Sequence, residues 1–366
     1  MTGPDWAHRA QAAESAVLGR HLRTLGLPGT RLGVVSWPAA PSHRVFLRWH
    51  FWWQAHLLDC AVDAWLRSPD ATRGRRIRVI ARSIRLRNGG RFTNDYNDDM
   101  AWIGLALHRA VAAGVDPRSI RPIVTALLDA WQPPSGGIRW RRGDEFYNAP
   151  ANGPTAILLA RTGFHRRAVA MTDWIDANLH VPGSGLMADG LVPGQPVQPT
   201  FYTYNQGSVL GAEVALTRVG HDRGRVHRLV DAVDAELTTG GVLIGHGGGN
   251  GGLFTGILAR YLAVVAAELP GDSTADRRAR SRAARLVLDS ASAAWAHRVV
   301  APHGPLFGAD WTVLAQIPTR RPVGASDGAR IDPSEQPERD LSVQLSAWML
   351  LEAAARLADR PLAAAD

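Results

Sequence analysis

The sequence predicts an all-α protein, a single-domain (α/α)6 barrel in which six inner helices stand inside six outer ones. Three observations predict it. Amphipathic segments follow one another along nearly all of the 366 residues, and strand-like alternation is confined to residues 33–36 and scattered loop positions. Every second helical segment opens directly after a loop rich in Gly, Asn or aromatics. Those openings recur at intervals of about fifty residues, the period of a helical-pair repeat. Inner helices of a closed ring would run the same way and bring their N-termini to one end. An open helical solenoid is the alternative, and it predicts the same helices without closure.

Taken in order, helices are expected over about 7–25, 45–66, 72–87, 97–113 and 116–131. Ala10, Ala13, Ala16, Val17 and Leu22 give the first its apolar face, and Asp116-Pro117 is a helix-start pair for the fifth. A Pro/Gly-containing linker, 26–42, separates the first two. Further helices are expected over 152–162 and 165–179, from 204 onward, and over 223–238, 253–269, 273–295 and 339–357. The segment 298–337 is a second long link, and the whole chain, 1–366, reads as one domain. The glycine run 245–252 lacks the Gly-Lys-Ser/Thr ending of a phosphate loop, so it is expected to be a mobile rim through which backbone approaches a ligand.

Composition narrows the function. The formal charge is +8, yet every basic residue is Arg, and the densest run (Arg73, Arg75, Arg76, Arg78, Arg82, Arg85, Arg87) alternates with Ile77, Ile80 and Ile84. That is an amphipathic helix with a solvated cationic face, without the interleaved aromatics of a strand-binding surface, so no nucleic-acid partner is expected. The single Cys60 sits in an apolar run and reads as an inert buried thiol; no metal-type spacing occurs, and no metal or cofactor is expected. No signal-peptide pattern opens the sequence, and no membrane span is expected. This points to a cytoplasmic protein, or to a secreted or cell-envelope one if the start is processed or export is non-standard. Oligomeric state is not legible.

The chemistry concentrates at Asn94-Asp95-Tyr96-Asn97-Asp98-Asp99-Met100, where a polar turn becomes an apolar helical run. One Asp at a helix start is accounted for by capping. Of two adjacent acids only one can cap, and the other faces a like charge that raises the proton affinity of one of them. Carboxyls held apart in pKa are what acid/base chemistry on a glycosidic bond needs. Adjacent Cα atoms lie about 3.8 Å apart with diverging side chains. Either the roughly 5–5.5 Å separation of a retaining enzyme or the 6.5–9.5 Å of an inverting one is then within reach. Trp53, Trp102, Trp140 and Trp311 are candidates for stacking on sugar, although a helical Trp is more often core. Gln54, His56, Asn152, Asn205 and Gln206 are candidates for hydroxyl hydrogen bonds, against plainer roles as a core histidine or helix caps.

These segments resemble glycoside hydrolase family 76, the endo-α-1,6-mannanases. The resemblance runs in order through 52–59, Asp98-Asp99-Met100-Ala101-Trp102, 136–140, 148–154, 203–207, 252–262 and Asp310-Trp311, nearly the whole chain. It implies an (α/α)6 barrel cleaving α-1,6-linked mannose with retention, Asp98 as nucleophile and Asp99 as general acid/base. Tyr204 and Asp310 join the substrate-binding set by their place in these motifs, and Asn97 by its place in the polar opening beside the acid pair. Ile103 stands where the family usually has a second Trp, and Thr255 where it has Lys. A catalytically silent glycan-binding or scaffold barrel, or a transglycosylase on the same substrate, is the alternative.

Overall fold

The structure, a computed structural model, describes residues 4–133, 136–319 and 335–359. Part of the 298–337 link, together with Pro134 and Ser135 of the loop after the fifth helix, lies outside the described residues. Among the described residues, thirteen α-helices follow in chain order. They are α1 Trp6–His21, a single turn α2 Pro41–Arg44, α3 Phe51–Arg67, α4 Ala71–Arg87, α5 Asn97–Ala110 and α6 Arg121–Asp129. Then come α7 Ala149–Arg161, α8 His165–Leu179, α9 Thr203–Thr217, α10 Gly224–Glu236, α11 Phe254–Glu268, α12 Thr274–Ala296 and α13 Leu341–Ala358. The β structure among them consists of two-stranded antiparallel pairs in the connecting loops.

All twelve expected helices are present, the single turn α2 arises at the end of the expected 26–42 link, and the boundaries shift for local reasons. The first helix stops at His21 because Leu22-Arg23 pairs with Leu32-Gly33. The second expected helix starts six residues late. Phe46 and His50 take positive φ (57° and 41°), which no helix accommodates, so the chain turns sharply before Phe51. The sixth starts three residues early, since Asn148 caps it by accepting from the Ala151 N–H (3.2 Å). Pro154 therefore lies inside α7, where its missing N–H leaves only the Pro150 carbonyl without a helical partner.

The odd-numbered helices from α3 to α13 form the inner ring: α3 packs on α5, α5 on α7, α7 on α9, α9 on α11, α11 on α13, and α13 returns to α3. That last contact closes the barrel and rules out the open solenoid. Outer helices α1, α4, α6, α8, α10 and α12 cover the ring. Close approach between staves is bought with glycine. A Cβ at Gly207 would lie 2.8 Å from the Leu258 Cα, and one at Gly256 would lie 2.5 Å from the Ser346 Cα. The stretch Gly249–Glu268 is long and apolar enough to cross a bilayer by length and composition, but 83% of its 18-residue apolar window is buried inside the protein. Its apolarity belongs to an inner stave.

The cationic face of α4 is less solvated than expected. Arg73 and Arg76 turn back to Glu14 of α1 (2.8 Å each), a buried carboxylate that also accepts from Arg67 of α3 (3.0 Å). Arg67 in turn binds Glu352 of α13 (2.9 Å). Four helices are stitched by one network.

Candidate active site

Inner-helix N-termini share one end of the barrel, and the first turns of four of them hold the loops that precede them. The fourth residue of α3, α7, α9 and α13 is an amide: Gln54, Asn152, Gln206 and Gln344. Each is buried and clasps one backbone residue of the preceding loop from both sides. Gln54 accepts from the Gly33 N–H and donates to the Gly33 carbonyl (2.9 Å each). Asn152 does the same at Ile138 (2.8 Å each), Gln206 at Met187 (2.9 Å each) and Gln344 at Phe307 (3.3 and 2.8 Å). Both faces of each amide are thus occupied, and Gln54, Asn152 and Gln206 are loop clasps with no polar atom to offer a sugar.

Other expected contacts also turn inward. His56 is fully buried in α3, its ring 4.8 Å from that of Trp102 and edge-on to Trp52 at 5.6 Å. Burial, with Arg260 nearby, holds it well below the usual histidine range, so it is a neutral core imidazole. Trp53 is buried and donates to the Asn250 side chain (3.0 Å), which also accepts from Trp52 (3.1 Å). Trp102 and Trp311 are core, at 4% and 3% exposure, so neither offers a ring face to a ligand. Asp310 is exposed and accepts from the Thr312 N–H (2.8 Å), closing its own turn. The glycine run is pinned as well. The Gly249 N–H donates to Asp340 (2.7 Å), its carbonyl accepts from Ser342 (2.6 Å), and the segment becomes a 3-10 turn leading into α11.

What remains at the barrel mouth is a carboxylate cluster in an aromatic frame. Asp98 and Asp99, both half-buried, occupy the first turn of α5. Asn97 anchors that turn by donating to the Arg139 carbonyl (2.9 Å), and its own N–H donates to the Trp140 carbonyl (2.8 Å). Trp140, read as a platform, instead donates its indole N–H to Asp98 (3.0 Å). The Asp99 N–H also donates to Asp98 (2.9 Å), so two donors favour its charged form against burial, which raises it to about 7. Asp99 accepts from the Asn94 amide (2.7 Å) and is pushed well above the carboxylate range, by burial first and then by the charge of Asp98. The two environments differ in the way a division of acid and nucleophile requires.

A third acid, unread in the sequence, joins them. Asp189 lies in the loop before α9, buried enough to be raised to about 6, accepts from Asn205 (3.2 Å) and hydrogen-bonds Tyr204. Its charge adds to the upward pressure on Asp98. Its only sequence signal was an Asp-Gly step in a Gly/Pro-rich stretch. Asn205 therefore reaches the site through Asp189. Tyr204 stacks on Phe254 (3.8 Å, 2° between planes), and Tyr202 and His246 complete that wall. No group of His, Cys, Asp and Glu among the described residues is arranged to hold a metal ion.

A family model described as glycosyl hydrolase family 76 matches residues 6–323. No curated protein matches the sequence. Among solved structures, the α-1,6-mannanase GH76A from Salegentibacter sp. HEL1_6 is 27% identical with a TM-score of 0.78, over 96% of this chain and 99% of that one. A variant of that mannanase with two consecutive Asp changed to Asn, described as inactive and in complex with α-1,6-mannotriose, superposes with the same TM-score and identity over the same shares of each chain. Dfg5 from Chaetomium thermophilum, in complex with glucosamine, shares the fold at 18% identity and a TM-score of 0.71, over 96% of this chain and 91% of that one.

Proposed function

This chain belongs to glycosyl hydrolase family 76, and from that premise we propose that it hydrolyses α-1,6-mannosidic bonds by double displacement. Asp98 is the nucleophile and Asp99 the general acid/base. The observation that carries the reading is the unequal treatment of two adjacent carboxyls at one helix start. Asp98 has two donors and the positive end of the α5 dipole to keep it ionised. Asp99 has one donor and a neighbouring charge that holds its proton. In the first step Asp98 attacks the anomeric carbon while Asp99 protonates the departing oxygen. In the second, Asp99 takes a proton from water, which displaces Asp98 from the glycosyl-enzyme. The mannotriose bound by the Salegentibacter protein, and the inactivity of its double Asp variant, support both the substrate and the pair.

Tyr204, Asp189 (held by the buried Asn205) and the Trp140 ring edge are the groups left to contact sugar. The test is hydrolysis of linear α-1,6-mannooligosaccharides by wild type, Asp98→Asn and Asp99→Asn. Each variant should stay folded and lose at least about a thousandfold in kcat, given the usual size of nucleophilic and acid/base contributions. The anomer released by wild type, followed by NMR, should first be α. Full activity in both variants, or a β product, removes the assignment. Saturable binding without products would move the protein to the silent-barrel reading.

A further inference from the structure

The inner helices deliver their C-termini to the end of the barrel opposite the paired aspartates. Five of the six carry an arginine in the last turn or at the residue just after it: Arg67 of α3, Arg109 of α5, Arg161 of α7, Arg218 after α9 and Arg356 of α13. The sixth, α11, finishes in Glu268. Cations here complement the negative helix ends, which accounts for their placement but not for the space before them. A cavity of about 730 Å³ opens among these side chains, with Leu105, Val264 and Met349 forming an apolar part of its wall. That size is within the range of small-molecule sites.

Charge is balanced on one side of this cavity and not on the other. Arg109 and Arg260 are paired with Asp59 and Asp63, and Arg67 with Glu14 and Glu352. Glu268, by contrast, accepts from both Arg218 (2.8 Å) and Arg356. Arg161 has no carboxylate within ion-pair distance among the described residues. Arg109 and Arg218 lie close enough to oppose its charge, and Glu268 favours it. Asp359, exposed at the rim, makes no ion pair with any of them among the described residues. Three guanidiniums thus share one hydrogen-bonded carboxylate, and with the solvent-screened Asp359 at the rim the excess is between about one and two charges, which guanidinium does not escape by deprotonation.

We propose that this cavity is a second binding site, for a small organic phosphate monoester. Its dianionic head would be held by Arg161, Arg218 and Arg356, and its body would lie against the apolar wall. A phosphate head brings two charges to one point and matches the guanidinium fork. A single carboxylate brings one, and a dicarboxylate splits its charges between two ends. Asp98, Asp99 and Trp140 do not line the cavity, so occupancy does not require the barrel mouth.

Calorimetric titration of the full chain at low salt tests this with glycerol 3-phosphate, inorganic phosphate and succinate as probes. Saturable binding of glycerol 3-phosphate is expected, tighter than inorganic phosphate, weakened about tenfold or more by Arg161→Gln and unchanged by Asp98→Asn. Arg218→Gln, at an exposed rim position, should weaken it similarly and guards against misfolding of the first variant. Absence of saturable binding, wild-type affinity in both Arg variants, or succinate binding as tightly as glycerol 3-phosphate would overturn the site. Inorganic phosphate binding as tightly as the ester would overturn the organic body.

Discussion

The ionisation of Asp98 is set by a contest that individual side chains can tip. Burial and the charge of Asp189 raise it, while the Trp140 indole and the Asp99 N–H lower it. The acidic limb of kcat/KM reports ionisation of the free enzyme's nucleophile, here as a property of the coupled pair. Asp189→Asn removes a like charge, so that limb should move to lower pH, by a few tenths of a unit. Trp140→Phe removes a donor to the carboxylate, so the limb should move up. Rates measured between about pH 4 and 9 decide it, and shifts of the same sign in both variants would defeat the account. The pair itself was legible because two adjacent acids at a helix start are hard to satisfy by capping. Asp189 was not, since nothing local distinguishes a loop Asp that folds toward the site from one that makes a turn. Trp140 was legible as a site residue but not in its role, because its N–H rather than its face meets the acid.

At the level of the helix, the repeated amide clasp separates structural from substrate contacts. Gln206 satisfies both polar groups of Met187 and also donates to the Tyr202 carbonyl (3.1 Å). Gln206→Leu strands these buried groups and should cost about 2–4 kcal/mol by urea unfolding, from one to three lost partners. The KM for a mannooligosaccharide should stay within about twofold in the residual folded enzyme. A large rise in KM with little loss of stability would restore Gln206 to the substrate. The register of the clasp was present in the sequence as Gln or Asn at the fourth position of four helices. Gln54, Asn152 and Gln206 look like sugar ligands or caps in the sequence because the true partner is loop backbone, which carries no side-chain signature. Helix ends were displaced for the same kind of reason. The pairing of Leu22-Arg23 with Leu32-Gly33, and the positive φ at His50, are decided by contacts beyond the helix.

Over the whole molecule, the ring was predictable from the spacing of helix openings, while closure required α13 to meet α3, a contact between residues about three hundred apart. The Glu14 network reinforces that seam. Glu14→Gln leaves three arginines around a neutral amide and should lose roughly 3–5 kcal/mol, the scale of a broken buried ion pair. A loss below about 1 kcal/mol would show the network to be incidental. The same contacts fix the direction of α1 on α13. Arg20 reaches Gln344 (3.5 Å), and Glu14 is bridged through Arg67 to Glu352, so the two helices run antiparallel. Trp6 is thereby brought roughly level with the last turn of α13. A closed ring whose first and last described helices finish side by side has no privileged starting point. A circular permutant, with those ends joined by a short flexible tether and new termini cut at Gly163, where open space surrounds a positive-φ turn, should fold with the parent's circular dichroism and unfold in one transition.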